Sequence, residues 1–76
     1  MKIRAELTFP GKLKDDPILC NLCKEFLVTM SILEASFSTD TGWAVVILEG
    51  NKEELNKTLN FLKTTGVEIQ SSQELH

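Results

Sequence analysis

The sequence predicts an α+β fold, a four-stranded antiparallel sheet of strand order 4-1-3-2 with two helices on one face. Three observations predict it. Apolar and polar residues alternate at the start of the chain, apolar residues recur at helical spacing in two later segments, and apolar residues crowd two extended stretches joined by a turn. The element order is then β-α-β-β-α-β, and a chain of 76 residues leaves no room for more. Right-handed crossovers place both helices on the same side of the sheet.

The first strand is read from residues 3 to 9, where Ile3, Ala5, Leu7 and Phe9 alternate with Arg4, Glu6 and Thr8. A period of two gives one buried and one open face, and Pro10 with Gly11 stops the run. Asp15 or Asp16 is placed to cap a helix, with Pro17 in its first turn. Ile18, Leu19, Leu22, Cys23 and Phe26 then recur at helical spacing, which predicts a first helix over residues 17 to about 27.

Residues 29 to 39 are extended and rich in β-formers. The segment 39 to 42, Thr-Asp-Thr-Gly, reads as a hairpin turn in which Gly42 takes positive φ. Residues 43 to 49 follow as a central strand, with Ala44, Val46 and Leu48 on one side and Trp43, Val45 and Ile47 on the other. Gly50 ends it. Asn51 with Glu54 three residues on resembles a capping box. Leu55, Leu59 and Leu62 form one stripe with Thr58 inside it, Phe61 lies off that stripe as a scattered surface aromatic, and Gly66 is the C-terminal cap. Val67 and Ile69 make a short last strand. Residues 1–70 are expected to form one domain, and the polar run 71–76 a flexible tail.

Two apolar faces on the second and third strands exceed what two short helices can cover. In this topology the second strand is an edge beside the central third strand. Met30 and Ile32 are expected next to Trp43, Val45 and Ile47 on the helix-free face, while Lys2, Arg4, Glu6 and Thr8 occupy that face of the first strand. An apolar patch beside an unpaired edge is a binding surface. A bulge that turned one strand over would bury part of it.

Composition narrows the function classes. The formal net charge of −3 disfavours nucleic acid, whose binding depends on Lys and Arg, and no strand carries the paired stacking aromatics of RNA-binding plaits. No apolar run approaches the roughly 20 residues that span a bilayer, and MKIRAELTF lacks the apolar core of a signal peptide, so a cytoplasmic chain without membrane insertion is expected. Catalysis finds no support: the only His is His76 at the end of the chain, there is no Tyr and no Gly-rich phosphate loop. Asp15, Asp16, Glu53 and Glu54 complement helix dipoles. No catalytic residue, cofactor or metal ligand is assigned. Cys20 and Cys23 are expected to be structural, because a reactive CxxC sits at a helix N-terminus and two thiolates are too few for a closed zinc site.

The run Ser31-Ile32-Leu33-Glu34-Ala35, Gly42-Trp43 followed by VVILEG, and the Glu-rich helix ending LKTTGVEI together resemble the NIL domain. That domain is found at the C-terminus of the ATPase subunit of methionine ABC importers and beside ferredoxin-type iron–sulfur modules. The resemblance covers about residues 2 to 70 and keeps the order of every element. It implies a ferredoxin-like, ACT-like regulatory plait that dimerises and binds methionine between protomers. Ile32 and Leu33 match the Ile and Leu of the family's triplet, and Ser31 stands in place of its Asn. With Met1 opening the chain and no ATPase ahead of it, any effector role is expected to act on another protein.

The expected function is therefore a non-enzymatic, homodimeric domain that binds methionine or a similar apolar amino acid, with Met30, Ile32, Leu33, Ala35, Trp43, Val45 and Ile47 forming the ligand site and dimer seam. The alternative is a ligand-free interaction module for an iron–sulfur, sulfur-metabolism or transporter-related protein. A thiol metal carrier through Cys20 and Cys23 ranks third.

Overall fold

The computed structural model describes residues 1–11, 18–38 and 41–75. Six elements follow in the expected order: β1 (Lys2–Pro10), α1 (Ile18–Glu25), β2 (Thr29–Phe37), β3 (Thr41–Glu49), α2 (Lys52–Thr65) and β4 (Glu68–Leu75). They form one antiparallel sheet of order β2-β3-β1-β4, the predicted ferredoxin-like arrangement. The predicted caps at Asp15, Asp16 and Pro17, and the turn residues Thr39 and Asp40, lie outside the described residues.

The core follows from strand alternation. Ile3, Ala5, Leu7 and Phe9 of β1 and Ala44, Val46 and Leu48 of β3 are buried against Ile18 and Leu22 of α1 and Leu55 and Leu62 of α2. Thr58 is the buried polar side chain among them. Its hydroxyl donates to the Glu54 carbonyl at 2.8 Å, which keeps its oxygen satisfied within its own helix. Asn51 caps α2 by accepting from the Glu54 N–H at 2.8 Å. At the other end Gly66 takes φ 99°. Its N–H reaches the Lys63 carbonyl at 3.1 Å and the Val67 N–H reaches the Leu62 carbonyl at 3.0 Å. That pair of bonds is a Schellman motif.

Several expectations are corrected. Gly42 lies inside β3, and Gly66 is the glycine with positive φ among the described residues. The reason for glycine at 42 is space: a Cβ there would fall on the Phe37 ring. Phe61 is half-buried and packs on Phe26 of the α1–β2 connection, ring centroids 5.4 Å apart, because its flank of α2 faces α1. Residues 71 to 75, expected as a loose tail, continue β4 and pair with β1 from Ser71↔Glu6 to Leu75↔Lys2. Their polarity is that of an edge strand exposed along most of its length. Both cysteines are exposed rather than structural. At about 100° per residue Cys23 stands a quarter-turn from the buried Leu22, and Cys20 lies farther round.

Candidate functional site

Where each predicted site residue falls is decided by the register between β2 and β3. Residues opposite one another in an antiparallel pair share a face. Trp43, Val45 and Ile47 alternate with the buried Ala44, Val46 and Leu48, so they occupy the helix-free face as predicted. Met30 and Ile32 do not join them. They pair with Leu48 and Val46, which puts them on the helix side of the sheet. Ala35, opposite Ala44, and Phe37, opposite Gly42, share that side.

The cause is a bulge. Ile32 faces Val46 and Glu34 faces Val45, leaving Leu33 as the extra residue. One extra residue turns the parity of the strand over, so even-numbered positions before it and odd-numbered positions after it point the same way. Strict alternation through Leu33 therefore misassigns one half of the strand whichever phase is chosen.

The seven residues consequently lie on both sides of the β2–β3 pair. Coverage by the helices fades along β2: Met30 is half-buried against the core, whereas Ile32 is 54%, Leu33 51% and Phe37 50% exposed. The Phe37 ring lies over Gly42 and rests on the buried Phe9, with ring centroids 5.6 Å apart. The outer edge of β2 pairs with no strand in the sheet. A free edge thus carries exposed apolar side chains along most of its length.

The helix-free face adds a second feature. A cavity of about 510 Å³ lies over the middle of the sheet, floored by Trp43 and Val45 and bounded by Arg4, Glu6, Thr8 and Glu34. Register explains the set, since Val45 stands between Glu6 and Glu34, and Trp43 between Thr8 and Ser36. Arg4 Nη1 donates to Glu6 Oε1 at 3.1 Å, and Lys2 pairs with Glu49 at 3.5 Å. Glu34 has no counter-ion among the described residues. The site therefore offers an indole face, one guanidinium with donors to spare and two carboxylates. Alternation in β1 predicts Arg4, Glu6 and Thr8 here, and counting by twos from the expected phase of Ile32 puts Glu34 here as well; the bulge is what takes Ile32 to the other side.

Comparison with known proteins places these features in context. Residues 3–71 match the model of the NIL domain family. The methionine import ATP-binding protein MetN of Helicobacter pylori is 29% identical over 72 residues, covering 90% of this chain and 22% of the relative. MetN of Streptococcus mutans is 39% identical over 61 residues, covering 75% of this chain and 17% of the relative. The chain thus spans about a fifth of the length of these relatives. Among solved structures, the C-terminal domain of an ABC transporter ATP-binding protein from Enterococcus faecalis superposes with a TM-score of 0.71 at 21% identity, covering 92% of this chain and 83% of that one. That likeness is one of fold.

Proposed function

The chain belongs to the NIL domain family, and from that premise we propose that it is a non-enzymatic regulatory domain which acts as a dimer and binds methionine or a similar apolar amino acid. The observation that carries this reading is the free β2 edge with Ile32, Leu33 and Phe37 exposed beside it. A second copy laid antiparallel along β2 satisfies the unpaired backbone groups and covers apolar side chains of both chains in one self-complementary contact.

The ligand is best accommodated next to that seam, in the cavity over Trp43 and Val45, whose volume of about 510 Å³ suits a small molecule. The cavity matches an amino-acid zwitterion part by part. Arg4 takes the carboxylate, Glu34 takes the ammonium, and Trp43 with Val45 receives the apolar side chain. Because Glu34 belongs to β2, a ligand bound there senses the position of the edge strand. Different affinity for two arrangements of the dimer then converts binding into a signal.

Isothermal calorimetry with methionine tests the proposal, with Trp43 fluorescence as a second readout. Saturable heat and a fluorescence change are expected, weakened at least about tenfold in Arg4→Ala, since a hydrogen bond to a charged group contributes about 1.5–3 kcal/mol. No heat at millimolar methionine removes the ligand.

One observation favours a second reading. Trp43 is 42% exposed on the helix-free face, where pairing along β2 does not cover it. A transporter-related or iron–sulfur protein packed on that face would account for it without a ligand. Retention of such a partner by the isolated chain, lost in Trp43→Ala, distinguishes the two.

A further inference from the structure

Helix α1 displays two free thiols that the fold does not use. Cys20 and Cys23 are both exposed, whereas Ile18 and Leu22 supply the buried contacts of that helix. Cysteine is ordinarily among the most buried residue types. Two exposed thiols three residues apart therefore call for a role other than packing.

Their spacing decides what the pair can do. Residues i and i+3 on an α-helix are surface neighbours with Cβ atoms about 5–6 Å apart. A disulfide needs about 3.5–4.5 Å between Cβ atoms, so closing one would distort the helix. A single metal ion bridges the wider gap without distortion, because two metal–sulfur bonds of about 2.3 Å each lie between the sulfurs. No cluster of three or more Cys, His, Asp or Glu able to hold a metal exists among the described residues. A four-coordinate zinc site is thus incomplete, and an oxygen-seeking ion lacks the six or more ligands it takes. Soft thiolates select soft ions, and a monovalent one accepts two donors.

We propose that Cys20 and Cys23 form a two-thiolate site for a soft monovalent metal ion of the Cu(I) class, one ion per chain. Binding displaces one proton from each thiol, forms two copper–sulfur bonds and leaves the oxidation state of the metal unchanged. The resulting centre carries one negative charge. Lys24, next to Cys23 and one turn beyond Cys20, supplies a positive charge on the same stretch of helix. The site lies in the helix layer and needs neither the β2 edge nor the cavity at Trp43, so it stands independently of the proposed amino-acid binding.

The test is a titration of the reduced full chain, without oxygen, with Cu(I) supplied as its acetonitrile complex against the coloured chelator bicinchoninate. One Cu(I) per chain is expected to be withheld from the chelator. Cys20→Ser and Cys23→Ser each lower that affinity at least about a hundredfold, because the second donor no longer acts at high effective concentration. Far-UV circular dichroism of both variants is expected to match the parent, since both positions are exposed. Any of three results overturns the proposal: no Cu(I) retained by the parent, retention undiminished in either serine variant, or one ion bound per two chains.

Discussion

Gly66 and Gly42 are both required, for opposite physical reasons. At Gly66 the backbone itself is left-handed, with φ 99°, and a Cβ costs conformational energy wherever it points. Gly66→Ala is expected to destabilise the fold by about 1 kcal/mol or slightly more, read as a lower urea midpoint at unchanged m. At Gly42 the backbone is ordinary strand and the obstacle is the Phe37 ring, which itself rests on Phe9. Gly42→Ala therefore drives that ring away from Phe9. The expected loss is about 1 kcal/mol, and it should vanish when Phe37 is already alanine, a coupling that a double-mutant cycle measures. An equal cost in both backgrounds would place the strain elsewhere.

The last strand shows how an element hides from composition. Residues 71 to 75 offer a run of polar side chains and one leucine, and nothing in them predicts burial. Their contribution is made by the backbone, which completes the second edge of β1 from Lys2 to Glu6. Removing residues 71–76 is expected to lower Tm by at least about 5 °C, since about 1 kcal/mol corresponds to some 4–8 °C in a domain of this size. A mere tail would leave Tm where it was. Elements with a buried face were legible in the sequence for the same reason. The alternation of β1, the double-faced run of β3 and the Leu55–Leu62 stripe each record an interior. Edge strands record little, because what fixes them is the partner's hydrogen bonds. Each edge here also skips one residue, at Leu33 and at Gln70, and a skipped residue defeats any reading that counts by twos. Cys23 is exposed for a related reason: a margin position on a short helix satisfies the spacing of a buried stripe without being under it.

At the scale of the molecule, twelve buried apolar side chains and one threonine form the interior among the described residues, a small core for an independent domain. The proposed association along β2 would add apolar burial where it is scarcest. Light scattering is expected to give twice the chain mass of 8.5 kDa, with a Tm that rises with concentration. Leu33→Lys sets a charge on the exposed apolar edge of each copy, where the proposed pairing would have to bury it. That variant is expected to run as a monomer whose Tm no longer depends on concentration. A dimer unaffected by Leu33→Lys would move the seam away from β2.

The bulge at Leu33 also gives β2 one place where its length is negotiable. Deleting a residue elsewhere in β2 exchanges the two sides of everything on one flank of the gap. Deleting Leu33 leaves Ile32 opposite Val46 and Glu34 opposite Val45, with no side chain changing sides. A 75-residue version of this chain should fold to the same sheet, with the ladder closed where it now opens, and its amide exchange at Ile32 and Glu34 should slow accordingly. Position 33 is thus a place where β2 can lose a residue without exchanging its two faces.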